Sequence, residues 1–338
     1  MINLISDTVT KPTGSMLRVM FEAEVGDDVF GEDPTVNALQ EQLAAMFGME
    51  AGLFCPSGTM TNQIAIKCHT NPLDEIICEG GSHVYQYETG GYAFNSGVAV
   101  RLIEGEYGKL TALQVAEAAR PLHDWLPNTR LVVIENTTNR GGGSYYTMEE
   151  MERIAEVCRE QGWAFHLDGA RIFHALVETG DSPGRLGQIF DSISVCLSKG
   201  LGAPVGSVLL GSRTMIDQAR RYRKVMGGGM RQAGYLAAAG LYAINHHVDR
   251  LKEDHRRARK LAAALEACPY VSAVKPVHTN IVIFDLQAPR TASDFIDRLE
   301  NAGVKASAFG PFTVRFVTHL DVTDAMIDRV VEVLEGLK

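Results

Sequence analysis

Lys199 lies at the junction of two apolar segments, in the stretch "SISVCLSKGLGAPVGSVLLGS" (192–212). A lysine between buried strands must reach solvent with its ammonium group, pair with an acid or lose its proton, because an unpaired buried charge is costly. Reaching solvent is the common case. An amine that is shielded from water can instead lose its proton and form a Schiff base with an aldehyde. Residues elsewhere in the chain are needed to choose between these interpretations.

Asp168 is an acid that such an amine would need. It belongs to "HLDGAR" (166–171), where the alternation predicts a strand that places this carboxylate at its carboxyl end. Such an aspartate can also cap the following helix. A lysine and an aspartate at neighbouring strand ends are what pyridoxal phosphate chemistry requires, because the amine binds the aldehyde and the acid keeps the pyridine nitrogen protonated. Arg171 could contact the ring oxygen or a substrate carboxylate, or form an ordinary salt bridge.

Three further segments could complete a cofactor site. "PSGTMTNQ" (56–63) predicts a turn that runs into a helix and presents backbone N–H groups to an anion, although plain N-capping gives the same pattern. Lys224 and Arg231 flank the glycines of "RKVMGGGMRQAG" and are a second cationic candidate. His83, in "GGSHVYQYE", could stack on a cofactor ring and accept a proton near pH 7, or simply be solvated.

Composition argues against several classes of function. The 338 residues carry a net charge of -9 and a pI near 5.6, which argues against a nucleic-acid partner. Six cysteines without a CxxC pair indicate neither a zinc site nor a disulfide framework. The start "MINLISDTVTK" has no signal-peptide pattern, and the apolar run "QAGYLAAAGLYAINHHV" carries polar residues that favour a packed helix over a membrane span. We therefore expect a cytoplasmic protein without a membrane or metal partner.

Apolar strand candidates alternate with helical patterns along the chain. The segments "LVVIEN" (131–136), "WAFHLDGA" (163–170) and "SISVCLS" are examples, and helical patterns separate them. This alternation predicts an α/β fold with a mainly parallel sheet.

Two helices have clear signals at their ends. Asp33, followed by a proline, predicts the start of a helix that ends at Gly48. Thr147 with Glu150 three residues later is a capping-box pattern, and Gly162 predicts the end of that helix.

The pattern changes in the last third of the chain. A long helical stretch from about 232 to 266 is followed by "TNIVIFDL", a helix, "FTVRFVTH" and a last helix. We predict a smaller α+β domain there, with a large domain over residues 1–245 and the small one over residues 246–338.

Many segments together carry a resemblance to a known family. They are "SDTVTKPT" (6–13), "VGDDVFGEDP" (25–34), "PSGTMTNQ", "HVYQYE", "ENTTN" (135–139), "HLDGAR", "LSKGLGAPVGS" and "GGGMRQAG". In this order and spacing the chain resembles the low-specificity L-threonine aldolases over nearly its whole length. The resemblance implies a fold-type I, pyridoxal-phosphate-dependent transferase-like architecture, with a mainly parallel seven-stranded sheet flanked by helices and a small C-terminal α+β domain.

The resemblance also implies a set of contacts to pyridoxal 5'-phosphate. Lys199 would hold the cofactor as a Schiff base and Asp168 would pair with its ring nitrogen. Arg171 would contact the ring oxygen and the substrate carboxylate. Gly58 and Thr59 would bind the phosphate group.

Further contacts would come from other parts of the chain. His83 would stack on the ring and is the leading candidate for the catalytic base. Ser6 and Arg315 resemble the family's contacts to the substrate carboxylate. Lys224 and Arg231 match a segment that reaches the phosphate of a neighbouring subunit in relatives. We therefore expect a homotetramer built from homodimers, with each active site at the dimer interface.

Three positions depart from the family pattern. A second active-site histidine is common in relatives where this chain has Trp125, with His123 two residues earlier. Thr138 stands in place of the histidine of "ENTHN", and Phe30 in place of the tyrosine of "DDVYGED". The cofactor residues are unaffected, whereas substrate preference and selectivity at the β-carbon depend on such positions.

The reaction that this resemblance implies is reversible retro-aldol cleavage of β-hydroxy-α-amino acids. L-threonine and L-allo-threonine would give glycine and acetaldehyde, and phenylserine would give glycine and its aromatic aldehyde. A β-eliminating lyase or an amino-acid racemase is the alternative, since the same lysine and aspartate serve all of them. A metal-dependent hydrolase using His166, Asp168 and His174 fits the spacing poorly. A member that binds the cofactor without turnover would not need all of Lys199, Asp168 and His83.

Overall fold

A computed structural model describes residues 1–337 of the protein. Its strands are β1 (Ile2–Asn3), β2 (Ala51–Cys55), β3 (Asp74–Glu79), β4 (Ala99–Ile103), β5 (Asn128–Glu135), β6 (Ala164–Gly169), β7 (Ser192–Cys196), β8 (Ser207–Gly211), β9 (Val271–Val274), β10 (Ile281–Leu286), β11 (Val304–Lys305), β12 (Ser307–Ala308) and β13 (Thr313–Val317).

The α-helices within the same residues are α1 (Gly14–Phe21), α2 (Pro34–Phe47), α3 (Gly58–His69), α4 (His83–Gln86), α5 (Gly91–Ser96), α6 (Ala112–Glu117), α7 (Met148–Gln161), α8 (Ile172–Thr179), α9 (Leu186–Ile189), α10 (Arg213–Val225), α11 (Gly234–His246), α12 (Leu251–Glu266), α13 (Ala292–Asn301) and α14 (Asp324–Gly336). Short 3₁₀ turns form at Asp7–Val9, Asp28–Phe30 and Pro183–Arg185.

The large sheet has seven strands in the order β2-β8-β7-β6-β5-β3-β4. Neighbouring strands among β7, β6, β5, β3 and β4 are parallel, whereas β8 is antiparallel to both of its neighbours. The strands β3, β5 and β7 are almost entirely buried, as expected when helices cover both faces of a parallel sheet. The predicted α/β fold with a mainly parallel seven-stranded sheet is confirmed.

Local capping fixes the two helices whose ends were predicted. The side chain of Asp33 accepts hydrogen bonds from the first turn of α2, which ends at Gly48 in the left-handed conformation. Thr147 and Glu150 form the reciprocal capping box of α7, and Gly162 ends that helix in the same left-handed way. Both predictions are confirmed.

The C-terminal part is built on a four-stranded antiparallel sheet in the order β12-β13-β10-β9. A separate core forms there between this sheet and α12, α13 and α14, and Phe284, Phe295 and Phe316 are buried in it. The N-terminus joins this part, because β1 pairs in parallel with β11 and Leu4 lies in the same core. The domain division at residue 245 stays a prediction, and residues 2–4 pack with the smaller part.

The long helical stretch predicted from about 232 to 266 is wrong as a single helix. Residues 247–250 separate α11 from α12. His247 is buried at this break, and its ring Nδ1 lies 2.7 Å from the backbone oxygen of Leu201, so the chain turns where the imidazole enters the interior.

No helix in residues 1–337 combines the length and apolarity needed to cross a membrane. Most of the apolar run "QAGYLAAAGLYAINHHV" lies in α11, which packs against α1 and α2. The cytoplasmic location stays a prediction.

Candidate active site

The carboxyl ends of six strands, β2 to β7, lie at one edge of the large sheet. β2 is antiparallel to β8, which is antiparallel to β7, so β2 runs in the same direction as the parallel strands. The loops and helix starts that follow β2, β3, β5, β6 and β7 are therefore neighbours at this edge. Ligands bind at this edge in open α/β sheets.

The register places three polar side chains in one row across the central strands. Glu135 on β5 is paired with Asp168 on β6, and Asp168 is paired with Ser194 on β7. In parallel strands paired residues point to the same face of the sheet. The row lies beneath the start of α3, where Thr61 Oγ1 is 2.6 Å from Ser194 Oγ.

A cavity of about 170 Å³ opens above this row. It is lined by Gly58, Thr59, Asn62, His83, Asp168, Ala170, Ser194, Cys196, Ser198 and Lys199. Five residues predicted from the sequence are therefore brought together here, namely Gly58, Thr59, His83, Asp168 and Lys199.

Lys199 follows β7 in a turn closed by a 2.8 Å hydrogen bond from the Gly202 N–H to the Lys199 carbonyl. Within residues 1–337 no acid or hydrogen-bond acceptor holds its Nζ. Lys199 is half-buried, so its amine is neither salt-bridged nor fully exposed. Burial opposes ionisation of the neighbouring Cys196, but the charge of Lys199 and a contact with Ser198 outweigh it and lower the pKa of that thiol.

Asp168 is buried at the floor of the cavity. Its Oδ2 accepts a 2.9 Å hydrogen bond from Asn62 Nδ2, and its Oδ1 accepts from the backbone N–H of Ala170 at 3.1 Å. The second bond has the geometry of a local turn at the end of β6. No arginine or lysine forms an ion pair with Asp168 in the described part of the chain, so its charge is available to a group in the cavity.

His83 is the first residue of α4 and lines the cavity. Its Nδ1 lies 2.9 Å from Glu88 Oε1, and its backbone N–H donates to Glu135 Oε2 at 2.8 Å. Burial alone would lower the pKa of His83. The hydrogen bond to Glu88 and the negative charge of Asp168 outweigh burial, so the pKa of His83 is raised above its ordinary value.

Glu135 is a second acid beneath the cavity. It accepts hydrogen bonds from the backbone N–H groups of His83 and Asn139, both at 2.8 Å. Burial and the nearby charge of Asp168 raise the pKa of Glu135 to about 7, although these two N–H groups oppose the shift. Its carboxylate therefore ties the loop after β3 to the loop after β5.

Beside the cavity, residues 5–7 contact the predicted substrate arginines. Arg171 donates to Asp7 with two hydrogen bonds, Nε to Oδ2 at 2.7 Å and Nη2 to Oδ1 at 2.6 Å. Burial alone would raise the pKa of Asp7, but the guanidinium outweighs burial and holds that pKa below its usual range. Arg315 Nη2 donates to the Ile5 carbonyl, and burial together with the Arg171 charge lowers the pKa of Arg315 to about 10. Ser6 lies between these two contacts, and its Oγ accepts from the backbone N–H of Thr8.

The predicted ligand contacts of Arg171, Ser6 and Arg315 are not tested by this arrangement. The charge of Arg171 is already paired with Asp7, and its side chain does not line the cavity. Its contact with a ring oxygen or a substrate carboxylate stays a prediction, as do the carboxylate contacts of Ser6 and Arg315.

Lys224 and Arg231 lie apart from the cavity of their own chain. Lys224 is exposed near the end of α10. Arg231 is about half exposed, and its Nη1 donates to Asp27 Oδ2 at 2.8 Å. Their role at a neighbouring subunit stays a prediction.

The three departures from the family pattern lie outside the cavity lining. Trp125 is largely exposed and stacks on His123 with ring centroids 4.4 Å apart. Thr138 is buried, and its hydroxyl donates to the Tyr107 carbonyl at 2.9 Å. Phe30 is exposed, with the guanidinium of Arg231 6.0 Å from its ring centre.

The three residues named for a metal-dependent hydrolase do not form one site. In residues 1–337, His166, Asp168 and His174 do not bring ligand atoms within 4.8 Å of one another. His166 instead contacts Asn62 and a serine, and His174 Nδ1 lies 2.9 Å from His255 Nε2.

Comparison with known proteins identifies the family. The profile described as beta-eliminating lyase matches residues 3–289, which is most of the chain. The chain belongs to the beta-eliminating lyase family.

Similar proteins agree with the resemblance seen in the sequence. The low specificity L-threonine aldolase of Escherichia coli K12 is 40% identical, over 98% of this chain and 97% of its own length. The low-specificity L-threonine aldolase 1 of Arabidopsis thaliana is 39% identical, over 95% of this chain and 92% of its own. The threonine aldolase structure from Leishmania major has a TM-score of 0.87 at 22% identity, covering 100% of this chain and 99% of that one, which shows the same fold. The family resemblance drawn from the sequence is confirmed.

Four site residues of this beta-eliminating lyase family member were not predicted from the sequence. They are Asp7, Asn62, Glu88 and Glu135. All four are buried polar side chains. They belong to segments in which other residues had been predicted to form the site. The segments that contain them are mostly polar, so their composition did not single these residues out, and only the tertiary contacts assign a partner to each.

Proposed function

We propose that this protein is a pyridoxal-phosphate enzyme that cleaves β-hydroxy-α-amino acids, threonine and allo-threonine among them, to glycine and an aldehyde. The observation that carries the proposal is the unpaired amine of Lys199 in the same cavity as the unpaired carboxylate of Asp168 and the imidazole of His83. The names of the 39–41% identical relatives support the substrate class.

The residues of the cavity fit the cofactor. Gly58 and Thr59 begin α3, and the first N–H groups of a helix have no acceptor inside it, so they suit a phosphate. Ser207 Oγ is buried without a partner in the described residues and would lie 3.4 Å from a Cβ placed on Gly58. This hydroxyl is a further donor for the same anion. Asp168 would hold a proton on the pyridine nitrogen, and Lys199 would bind the aldehyde carbon.

Pyridoxal phosphate supplies, when bound, an electron sink for the pair released by a breaking Cα–Cβ bond. The residues of this chain supply orientation and proton transfer. His83, with its raised pKa, is suited to take the proton of the β-hydroxyl group, and the aldehyde then leaves. Ser6, Arg171 and Arg315 would orient the substrate carboxylate, which decides the bond that breaks.

A labelling experiment tests this proposal. The protein is incubated with pyridoxal phosphate, reduced with borohydride and digested, and the unreduced protein is assayed with L-threonine. We expect the label on the peptide that contains Lys199, together with release of glycine and acetaldehyde. Lys199→Ala should lose both. Lys109→Ala should keep both, because Lys109 pairs with Glu150 away from the cavity.

Other outcomes would point to other functions. Label without acetaldehyde, but with ammonia and an oxo acid or with the mirror-image amino acid, would favour the lyase or the racemase. Absence of label on Lys199 would refute the cofactor assignment.

We also propose that the active unit is a homodimer, assembled into a homotetramer, in which Lys224 and Arg231 of one subunit serve the phosphate site of the other. The exposure of Lys224, and the separation of both residues from the cavity of their own chain, support this arrangement. Inactive Lys199→Ala subunits mixed with inactive Arg231→Ala subunits should regain activity, because each hybrid dimer contains one intact site. Failure of mixed subunits to regain activity, with exchange verified by mass, would refute the shared site.

A further inference from the structure

Glu88 is a buried acid next to the cavity that has no role in the proposed chemistry so far. Its side chain is fully buried. Three donors converge on its carboxylate: Asn62 Nδ2 at 2.9 Å, Gln63 Nε2 at 2.6 Å and the His83 ring Nδ1 at 2.9 Å. Within residues 1–337 no lysine or arginine pairs with it, so hydrogen bonds from these three side chains are what stabilise its carboxylate.

The contact with Glu88 selects the tautomer of His83. An ionised carboxylate only accepts hydrogen bonds, so the ring proton lies on Nδ1 of His83. In the neutral ring Nε2 then carries the lone pair. A base in the cavity needs this arrangement, because Nε2 is free to take a proton while Nδ1 is held.

Asn62 links Glu88 to the acid on the cavity floor. Its Nδ2 donates both to Glu88 Oε1 and to Asp168 Oδ2, each at 2.9 Å. Its Oδ1 lies 3.2 Å from His166 Nε2, and the other ring nitrogen of His166 lies 2.8 Å from the Ser192 hydroxyl. Burial lowers the pKa of His166 to about 3, so this ring is neutral. Ionised carboxylates only accept hydrogen bonds, so the amide nitrogen of Asn62 faces them and its oxygen faces His166. The amide of Asn62 is therefore fixed with its nitrogen towards both carboxylates.

We propose that Glu88 is a positioning residue, which holds His83 as the Nδ1–H tautomer and keeps it basic, and that Asn62 fixes Glu88 relative to Asp168. This proposal rests on the proposed function, because His83 acts there as the base. Loss of the Glu88 charge should lower the pKa of His83 and should also change the position of its ring.

The pH dependence follows from the groups around His83. Glu88 and Asp168 raise its pKa, and Lys199 lowers it. Glu135 meets its backbone N–H, and the Tyr87 ring lies 5.5 Å away. Replacement of Glu88 by glutamine removes one of the negative charges that stabilise the protonated ring. The pKa of His83 should therefore fall, and the acid limb of the kcat/KM profile should move to lower pH.

The test combines kinetics with a measurement on the histidine itself. In Glu88→Gln we expect kcat/KM for L-threonine to fall about 100-fold at its plateau, as is usual when a base loses its tautomer and basicity. The acid limb should shift to lower pH. The NMR titration of the His83 ring carbon in the protein without substrate should shift in the same direction. Glu88→Asp restores the charge and should return the titration towards the wild-type position.

Glu75→Gln is the matched control. Glu75 is also buried and also accepts from side chains, Arg120 Nε at 2.9 Å and Thr129 Oγ1 at 3.2 Å, but it does not line the cavity. This control loses a buried carboxylate without changing the surroundings of His83. Its pH profile and its His83 titration should match those of the wild type.

The outcomes separate this inference from the proposed function. An unchanged His83 titration in Glu88→Gln would overturn the role of Glu88, whether or not the enzyme cleaves threonine. A shifted titration in a protein that never releases acetaldehyde would support the Glu88 contact while the proposed reaction fails. If Glu88→Gln does not fold, the nitrogen NMR shifts of the His83 ring in the wild type decide, since a neutral ring with its proton on Nε2 instead of Nδ1 would overturn the proposal.

Discussion

Asp7→Asn should destabilise the protein strongly through the buried ion pair with Arg171. Asp7 is fully buried and the Arg171 side chain is 4% exposed. The asparagine keeps one carbonyl oxygen, so one of the two guanidinium hydrogen bonds becomes a contact between N–H groups, and a buried positive charge is left unpaired. Breaking one partner of such a pair costs about 3–5 kcal/mol. Asn280 Nδ2, which also donates to Asp7 at 3.2 Å, adds to the loss.

Urea unfolding at pH 7 measures this loss. Glu149→Gln is the control, because it breaks an ion pair with Arg153 in which both side chains are about two-thirds or more exposed, and it should cost about 0–1 kcal/mol. The double variant Asp7→Asn with Arg171→Met should be more stable than Asp7→Asn alone, because it removes the unpaired charge.

The pH dependence of the same loss has a defined sign. The pKa of Asp7 is held below its usual range in the folded protein, so its contribution is fully present above the unfolded value of about 3.9. The stability gap between wild type and Asp7→Asn should stay constant between pH 7 and pH 5. It should narrow as the pH falls below about 4. If Asp7→Asn lowers the free energy of unfolding by less than about 1 kcal/mol at pH 7, the reasoning is refuted. It is also refuted if the loss in the double variant equals the sum of the losses in Asp7→Asn and Arg171→Met.

Three further outcomes are expected. Gly141→Ala should destabilise the protein by at least about 1–3 kcal/mol in urea unfolding, because a Cβ there would lie 1.8 Å from the Tyr107 carbonyl oxygen. Thr147→Ala should cost about 1 kcal/mol by the same measurement, since it removes the capping box of α7. His166→Gln should flatten the fall in stability between pH 6.5 and about 3, because the folded ring has a pKa of about 3 and the unfolded state alone binds the proton in that range. Equal slopes for wild type and His166→Gln would contradict the last prediction.

Local signals in the sequence determined where most helices and strands form. Asp33, Thr147 and the glycines that follow α2 and α7 specify their helix ends through hydrogen bonds only a few residues long. The alternation of apolar strands with helices specified the parallel sheet, because a parallel connection needs a crossover. The break between α11 and α12 was missed, because the contact of His247 with Leu201 joins residues far apart in the chain.

The sequence by itself also determined the chemistry-bearing residues of the cavity, Lys199, Asp168 and His83, because strand ends in a parallel sheet share one edge. Only the tertiary structure decided the partners of those residues. Arg171 faces Asp7 across 164 positions of the chain, and Asn62 meets Asp168 across 106. Side-chain hydrogen bonds require distances near 3 Å, and such distances between remote segments are set by how helices and strands pack, not by the order of residues along the chain.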